Sequence, residues 1–355
     1  MGLHSIDIHF SMQDHQIFSH WIEQSLPSVV TPSPVLKLEA LAGDAGFRRY
    51  FRINTEPSLI AVNSPPKKEK NPEYVQLSLF MQAQGLLTPK IYAVNYDRGY
   101  MLVEDFGVTL FRQQLEIAEA DLLYDGAEAE LLKLQNATPK APSVPLHNAT
   151  KIGDELALFE QWFLNNMLDY QLDVDEKVML DNVFGCLVNN AKDQPQVLMH
   201  ADYHSRNLMM LDQDRIGIID FQDTMLGAIT YDLVSLLKDC YVCWPESWVE
   251  KRVLGYKQRL ASAGLLPDVD DSQFIQWFDF MGLQRHIKVL GIFSRLALRD
   301  AKSAYLKDIP LVAHYCLEAS GKYPQTAKFH HWFSDKVLPI LDKQSWYCND
   351  SGGQK

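Results

Sequence analysis

The sequence predicts an α+β protein with two lobes, a small antiparallel sheet followed by a larger, mainly helical part. Between about residues 36 and 104, short apolar or alternating runs are punctuated by glycine and proline, as is typical of short antiparallel strands. Beyond residue 105, long segments carry apolar residues at helical spacing. The length of 355 residues also favours two lobes, because a single core usually stops growing at about 250–300 residues.

The first lobe is predicted at residues 1–104. An amphipathic helix over about 13–26 opens it and places Ile17, Trp21 and Ile22 on one face. Asn71-Pro72-Glu73 combines a capping residue with a proline in the first turn, which predicts a helix to about Gly85. The strand predictions cover residues 36–41, 47–53, 59–62, 91–95 and 100–104.

The second lobe is predicted at residues 105–355, beyond a tight hinge near 104–107. Its helix predictions lie near 109–136, 152–170, 174–192, 229–243, 246–264, 271–298 and 325–343. Strand predictions are few and cover 197–199, 208–211 and 216–219. These three short strands surround the densest group of polar functional residues in the chain.

Composition and charge exclude several classes of protein. The balance of 47% hydrophobic and 22% charged residues is that of an ordinary globular protein. A formal net charge of -12 argues against nucleic-acid and anionic-membrane partners, and no run is long and apolar enough for a membrane span. The start lacks a signal-peptide pattern, and five thinly spread cysteines suit a reducing compartment, so we expect a cytoplasmic protein. The oligomeric state is left open.

The strongest motif is Leu198-Met199-His200-Ala201-Asp202-Tyr203-His204-Ser205-Arg206-Asn207, followed by an apolar strand that ends in Asp220. Phosphoryl transfer from ATP needs a group that takes the proton of the attacking hydroxyl, and oxygen ligands for the Mg²⁺ that bridges the phosphates. Asp202 suits the first role, and Asn207 and Asp220 suit the second. Each residue alone is explained by a turn or a cap, but the joint spacing favours the catalytic interpretation.

Residues beside this motif have two interpretations each. Asp223 is predicted to bind a second metal face or a substrate hydroxyl, or to stabilise the loop. His204 and Arg206 either touch phosphate or substrate, or hold the catalytic loop. Asp232, at the start of an apolar helix, is predicted to be a buried anchor for that loop.

A polar tract interrupts the helix predicted at 271–298. Gln284, Arg285, His286 and Lys288 lie in an otherwise apolar segment, where polar groups are costly unless paired. Gln284 and Arg285 are therefore predicted to line a substrate pocket. The alternatives are a buried structural ion pair for Arg285 and simple solvation for Lys288. Cys240 and Cys243 have redox spacing, but they are predicted to be core residues.

A glycine-containing turn in the first lobe is predicted to fold over the phosphates of the nucleotide, with an ordinary turn as the alternative. The predicted nucleotide contacts are Gly43, Asp44, Gly46, Arg48, Arg49 and Glu104. The chain has no G-x-x-x-x-G-K-[ST] motif, which excludes a P-loop enzyme.

His200 to Asn207 together with Asp220 resemble the aminoglycoside phosphotransferase and choline kinase superfamily. A closer likeness is to the bacterial anomeric kinases of N-acetylmuramate and N-acetylglucosamine. It is carried by residues 43–45 with 47–52, 202–203 with 206–209, 220–223, 230–232, and 284–289 with 291–293. The resemblance implies a protein-kinase-like fold with ATP and Mg²⁺ as cofactors. It further implies phosphorylation of the C1 hydroxyl of an N-acetylated amino sugar for peptidoglycan recycling.

One departure from the wider kinase pattern stands out. The run Leu59-Ile60-Ala61-Val62-Asn63 has no lysine where most kinases place the one that pairs with the α- and β-phosphates. Arg48, Arg49 or Lys67 is a substitute, and the sequence does not say which. The missing lysine keeps a catalytically silent pseudokinase that binds nucleotide as one alternative. A separate alternative keeps the kinase and changes its acceptor to an aminoglycoside, choline or an amino alcohol.

Overall fold

A computed structural model describes residues 12–41, 47–115, 119–138 and 141–347. The chain divides into two compact units. The first comprises residues 1–109 and 209–222, and the second comprises residues 110–208 and 223–355. The first unit thus takes in a short later segment, which a linear reading of the sequence does not foresee.

The first unit is built on a five-stranded antiparallel sheet with the strand order β1-β2-β3-β5-β4. The strands are β1 Leu38–Ala40, β2 Arg49–Ile53, β3 Leu59–Asn63, β4 Ile91–Asn95 and β5 Tyr100–Glu104. They coincide with the predicted strands to within a few residues, so the small antiparallel sheet is confirmed. Alternate residues of a strand lie on the same face of the sheet. Leu59 and Ala61 of β3 share the face that packs into the core of the unit.

Helix α1 (Met12–Ser25) completes that core. Its apolar residues Phe18 and Ile22 are fully buried with the sheet residues. The ring centroids of Phe18 and Tyr100 are 4.7 Å apart, and aromatic pairs at such distances contribute about 0.5–1.5 kcal/mol beyond their buried area. The helix α2 (Asn71–Ala83) has the predicted proline in its first turn. The prediction of Asn71 as the capping residue is wrong, because Asn71 is the first helical residue and its side chain donates to the Ser64 carbonyl.

The later segment of the first unit, residues 209–222, contains most of a two-stranded hairpin. Its strands are β7 (Leu208–Met210) and β8 (Ile216–Ile218). The backbone N–H of Ile218 donates to the carbonyl of Leu87 at 2.7 Å. A Cβ at Gly217 would lie 2.6 Å from the ring of Phe106, so only glycine lets this ring pack on the strand. These contacts fix the end of β8, where the predicted metal ligand Asp220 follows.

The second unit is mainly helical. Its helices are α3 Phe111–Gln114, α4 Ala120–Asn136, α5 Ala149–Leu158, α6 Val174–Asp193, α7 Tyr231–Leu237, α8 Glu246–Ser262, α9 Asp271–Arg299, α10 Ile309–Gly321, α11 Ala327–Trp332 and α12 Leu338–Leu341. Two π-helical segments, Phe159–Met167 and Phe333–Val337, follow α5 and α11, and a 3₁₀ helix spans Ser303–Asp308. The strands β6 (Gln196–Met199) and β9 (Met225–Ala228) pair in antiparallel fashion.

Helix α9 is the centre of the second unit. It packs against α5, α6, α7, α10 and the first π-helical segment, and its middle turns are buried all round. Asp270 caps it by accepting the backbone N–H of Gln273 at 2.8 Å. The polar tract predicted in this helix therefore lies in the interior of the unit.

Several predictions for the second unit are wrong in detail. The helix predicted over 229–243 ends at Leu237, because the Asp239 carboxylate accepts the N–H of Tyr241 and draws the backbone away from the helix. The helix predicted over 325–343 is divided by the second π-helical segment. Helix α10 and strand β9 were not predicted. Cys240 is buried as expected, whereas Cys243 is exposed.

None of the helices in the described part of the chain combines the length and the apolar character that a membrane crossing needs.

Candidate active site

The predicted catalytic loop begins where β6 ends, and Asp232 of α7 holds it in place. The buried Asp232 carboxylate accepts the backbone N–H of His200 at 2.6 Å and that of Ala201 at 3.1 Å. Ala201 has φ +76°, a left-handed conformation that alanine rarely adopts. The predicted anchor role of Asp232 is thereby confirmed, because its two hydrogen bonds compensate for an unfavourable turn.

The turn brings Asp202 and Asn207 together. The Asn207 side-chain N–H donates to the backbone carbonyl of Asp202 at 3.0 Å, which directs the amide oxygen to the opposite side. The backbone N–H of Asp202 donates to Nδ1 of His200 at 3.3 Å. The Asp202 side chain is half-buried, and nothing in these contacts uses up its carboxylate.

Charge in the second unit keeps the Asp202 carboxylate ionised. Burial raises the pKa of Asp202, but nearby positive charge, that of Lys288 first and that of Arg285 after it, lowers the pKa below its ordinary value. An ionised carboxylate can accept a hydrogen bond, and then a proton, from a hydroxyl group. The geometry and charge of Asp202 therefore suit a general base.

Lys288 belongs to a buried ionic network. Its ammonium donates to the Tyr231 hydroxyl at 3.0 Å and lies 3.1 Å from Glu155. The other oxygen of Glu155 lies 3.0 Å from Nε2 of His147 and accepts Nε2 of Gln284 at 3.4 Å. Simple solvation, the alternative considered for Lys288, is wrong, because its side chain is only 16% exposed and paired.

Gln284 and Arg285 are both buried, and their proposed contacts with the acceptor stay predictions. Arg285 is 3% exposed, and its guanidinium donates to the sulfur of Cys240 at 3.4 Å, a weak acceptor. The side-chain oxygen of Gln284 is buried without a hydrogen-bond partner among the described residues. Buried polar groups left in this condition are costly.

The end of the loop is held by Asp239 and Tyr241. Asp239 accepts the backbone N–H of Ser205 at 3.0 Å. The Arg206 guanidinium lies 3.5 Å from the centroid of the Tyr241 ring, and the His204 ring meets the same ring edge-on at 5.5 Å. His204 and Arg206 thus both contact Tyr241, which follows the loop in the same unit. Their proposed contacts with the substrate stay predictions. Asp223 is exposed.

In the first unit, Asp220 follows β8 with a left-handed φ of +62°. The side chain of Gln222 donates to its carboxylate at 2.6 Å. The ring of Phe221 stacks on that of Tyr74 of α2 at 4.9 Å, which holds this segment against the helix. A carboxylate so placed on a constrained turn has the chemistry of a magnesium ligand.

The predicted nucleotide contacts differ in what the structure shows of them. Gly43, Asp44 and Gly46 lie outside the described residues. Arg48 is buried and Arg49 is exposed. A side-chain oxygen of Glu104 accepts the backbone N–H of Lys90 at 3.1 Å.

Sequence reasoning missed two residues that shape this site, Asp239 and Glu155. Asp239 follows the apolar end of α7, where an acidic residue is a signal for a side-chain cap on nearby backbone N–H groups. Glu155 gave no signal, since it stands on an ordinary amphipathic helix, and only the tertiary fold shows its partners.

Comparisons with known proteins show the family to which the chain belongs. The sequence pattern of the phosphotransferase enzyme family matches residues 37–267. The N-acetylmuramate/N-acetylglucosamine kinase of Pseudomonas putida is 33% identical over 314 residues, which are 87% of this chain and 92% of the relative. The protein of the same name from Neisseria meningitidis is 33% identical over 327 residues, 90% of this chain and 95% of the relative.

Solved structures support the fold at much lower identity. The Plasmodium vivax ethanolamine kinase superposes with a TM-score of 0.59 at 14% identity, over 90% of each chain. A choline kinase of Streptococcus pneumoniae gives a TM-score of 0.57 at 13% identity, over 89% of this chain and 99% of that one. The ADP-bound aminoglycoside phosphotransferase APH(2'')-Ib gives 0.54 at 15% identity, over 86% and 99%.

The predicted kinase-like α+β fold and the predicted resemblance are both confirmed by these matches. The match to the family pattern covers more than half of the chain and includes the Asp202 loop. The chain belongs to the phosphotransferase enzyme family.

Proposed function

We propose that this protein is an ATP- and Mg²⁺-dependent kinase that phosphorylates the C1 hydroxyl of N-acetylmuramate, N-acetylglucosamine or both, in peptidoglycan recycling. The observation that carries the proposal is the 33% identity, over 87% of the chain, to a relative that bears the name of such a kinase. The catalytic loop supports it, because it presents an ionised carboxylate at Asp202.

Asp202 is the proposed catalytic base. Its carboxylate would orient the acceptor hydroxyl and take its proton as the oxygen attacks the γ-phosphate. The two hydrogen bonds from the loop backbone to Asp232 fix the turn that presents it. Positioning of this kind does much of the catalytic work in phosphoryl transfer.

Asn207 and Asp220 are the proposed magnesium ligands. Both offer oxygen atoms, which Mg²⁺ prefers, and the ion commonly takes its remaining ligands from substrate phosphates and water. When bound, Mg²⁺ neutralises charge on the transferred phosphate. The hydrogen bond from Asn207 to the Asp202 carbonyl supports this role, because it fixes the orientation of the amide.

We further propose that residues 1–104 bind the nucleotide and residues 105–355 supply the base and the acceptor pocket. The nucleotide contacts would come from Gly43, Asp44, Gly46, Arg48, Arg49 and Glu104. The contacts to the acceptor would come from His204, Arg206, Asp223, Gln284 and Arg285. ATP as the donor and the cytoplasm as the location are parts of the same proposal.

The charge of the buried tract bears on the acceptor. A cationic aminoglycoside or choline requires carboxylates or open aromatic faces. Arg285 is instead a buried cation, Lys288 is a cation whose side chain is 16% exposed, and Gln284 is a neutral amide with an unpaired oxygen. Such groups suit a lactyl carboxylate and an N-acetyl group, which supports an N-acetylated amino sugar as the acceptor.

The test is ATP consumption by the purified protein with Mg²⁺, offered N-acetylmuramate, N-acetylglucosamine, choline, an aminoglycoside or no acceptor. We expect turnover with the N-acetylated sugars alone. Asp202→Asn, run alongside, should lose roughly 10²–10⁴-fold in kcat and keep its affinity for ATP. Turnover with choline or the aminoglycoside only would refute the proposed substrate, and no stimulation by any acceptor would favour a silent nucleotide-binding protein.

A further inference from the structure

The first unit contains a candidate for the missing phosphate-binding cation. In kinases of the wider group, a lysine of the third strand pairs with a glutamate of the following helix and binds the phosphates of ATP. The corresponding strand here, β3, carries buried apolar residues from Leu59 to Val62 and ends in Asn63. Some other cation must take this place if the proposed kinase function, on which this inference rests, is correct.

The three candidate cations, Arg48, Arg49 and Lys67, differ in how far their side chains are buried. Arg49 and Lys67 are both exposed, and an exposed side chain is free to adopt many rotamers. Arg48 is 8% exposed, which is unusual for an arginine. A buried guanidinium must be paired, because its desolvation is costly.

Arg48 forms the kind of ion pair that the lysine forms in other kinases. Its Nη2 lies 3.3 Å from a carboxylate oxygen of Glu69, just before α2 begins. Its Nε donates to the Ser64 hydroxyl at 3.2 Å, directly after β3 ends. Ser64 in turn donates to the Asn71 side chain, which donates back to the Ser64 carbonyl at 2.7 Å. The Arg48 side chain is therefore fixed from two directions, by the end of β3 and by the start of α2.

The same arginine is close to the proposed metal ligand within the first unit. Its guanidinium lies 4.8 Å from the centroid of the Tyr74 ring, and that ring stacks on Phe221, the residue after Asp220. Tyr50 also lies near both charges. Burial raises the pKa of the Tyr50 hydroxyl to about 12, and Arg48 lowers it while Asp220 raises it. A fixed cation and a metal-binding carboxylate thus occupy one small region, as a bound polyphosphate requires.

We propose that Arg48, held by Glu69, replaces the third-strand lysine and binds the α- and β-phosphates of ATP. An arginine suits this role because its planar fork offers several N–H donors at once. Nε and Nη2 are engaged by Ser64 and Glu69, and the guanidinium also hydrogen-bonds the Tyr50 side chain. These contacts fix the plane of the guanidinium and of its remaining donors. Glu69 is a positioning residue that acts through Arg48.

The experiment is the titration of wild type, Arg48→Ala and Arg48→Lys with MgADP and, separately, with adenosine, with no sugar present. Arg48→Ala should lose roughly 10- to 100-fold in affinity for MgADP, the loss of one charged hydrogen-bonding partner. Its affinity for adenosine should stay within about twofold. Arg48→Lys should recover part of the loss, and Glu69→Gln should weaken MgADP binding less than Arg48→Ala does.

Arg98→Ala is the matched control, because it removes the same charge from an exposed position of the same unit. It should bind both ligands as wild type does. Arg49→Ala and Lys67→Ala complete the series. The proposal is overturned if either of them, and not Arg48→Ala, causes the selective loss of MgADP affinity. It is equally overturned if Arg48→Ala weakens MgADP and adenosine alike, as a misfolded unit would.

The test of Arg48 as a phosphate-binding residue is independent of the test of the proposed sugar kinase activity. Selective loss of MgADP binding in Arg48→Ala supports the inference even if no sugar is phosphorylated, since no acceptor enters the titration. Conversely, wild-type turnover with an N-acetylated sugar and unchanged MgADP affinity in Arg48→Ala would refute the role of Arg48 alone.

Discussion

Asp232 accepts the backbone N–H of His200 at 2.6 Å, and so ties the first residue of the catalytic loop to the start of α7. The carboxylate is fully buried and also accepts the N–H of Ala201. Asp232 touches no reacting group, yet it fixes the turn that carries Asp202. Loss of this tie should therefore affect catalysis through position rather than through chemistry.

Asp232→Asn tests this role. An amide has one acceptor oxygen, and its NH₂ group would face a backbone N–H, so one buried hydrogen bond is lost at a cost of about 1–3 kcal/mol. We expect a lower free energy of unfolding and a kcat reduced at least tenfold, with KM for ATP little changed. Steady-state kinetics and chemical denaturation measure both effects. Ser235→Ala, on the same helix, is the control and should retain wild-type kcat, and an Asp232→Asn enzyme as active as wild type would contradict the anchor role.

The left-handed conformation of Ala201 gives a second prediction. At φ +76° glycine carries no steric penalty, so Ala201→Gly relieves strain while it adds entropy to the unfolded chain. The two effects nearly cancel, and the free energy of unfolding should change by less than about 0.5 kcal/mol. Ala228→Gly, at an equally buried position in β9, should cost about 1 kcal/mol more. Equal losses in denaturant titrations of the two variants would argue against strain at Ala201.

The pairing of Glu155 gives a prediction for the pH dependence of stability. Burial raises the pKa of Glu155, but the hydrogen bond from His147 and the charge of Lys288 outweigh this and lower the pKa to about 2 from 4.5. A carboxyl whose pKa is lowered by folding stabilises the protein above its unfolded pKa, and this contribution is lost as the pH falls through the folded value. The loss between pH 4.5 and 2 should amount to roughly 2–3 kcal/mol.

Glu155→Gln removes the titrating group and should flatten the fall in the free energy of unfolding over that pH range. Denaturant titrations at several pH values measure the slope. Glu23→Gln, on the exposed side of α1, is the control and should behave as wild type does. If Glu155→Gln kept the full wild-type slope, another group would be responsible for the acid sensitivity.

The sequence predicted those parts of the site that lie close together along the chain. Asp202 and Asn207, the proposed base and metal ligand, were predicted from their spacing alone, and the structure places them in one loop joined by a hydrogen bond. The Asp232 anchor was predictable too, since a carboxylate at the start of an apolar helix must accept hydrogen bonds if it is buried. Local chemistry of this kind is visible in sequence because the residue types and their separation carry it.

The remaining parts depend on pairings between distant segments. The partner of Lys288 in α9 is Glu155, which lies in α5. The sequence of neither helix contains a pattern that predicts this pair. Strand β9 escaped prediction because its sequence Met225-Leu226-Gly227-Ala228 is short and lacks alternation, and it becomes a strand only by pairing with β6. Arg48 looked no different from Arg49 until the fold showed which of them is buried.

The packing of α9 gives a final prediction from two glycines of one helix. A Cβ at Gly291 would lie 2.5 Å from the carbonyl carbon of Leu158, a backbone atom that cannot rotate away. Gly291→Ala should therefore push α9 away from the end of α5, where Leu158 lies, and lower the free energy of unfolding by about 1–3 kcal/mol. At Gly282 the nearest atom to such a Cβ is a side-chain carbon of Val234 at 3.7 Å, an ordinary contact. Gly282→Ala should then be neutral or stabilise the protein by up to about 1 kcal/mol, because alanine favours the helix.

The same pair of variants also links packing to activity. Helix α9 carries Arg285 and Lys288, whose charges keep Asp202 ionised. A displaced helix moves these charges, so Gly291→Ala should lower kcat as well as stability, whereas Gly282→Ala should keep most of the wild-type rate. Chemical denaturation and kinetics on both variants decide the matter. If Gly291→Ala proved as stable and as active as Gly282→Ala, the close approach of α9 to Leu158 would have no role in holding the site.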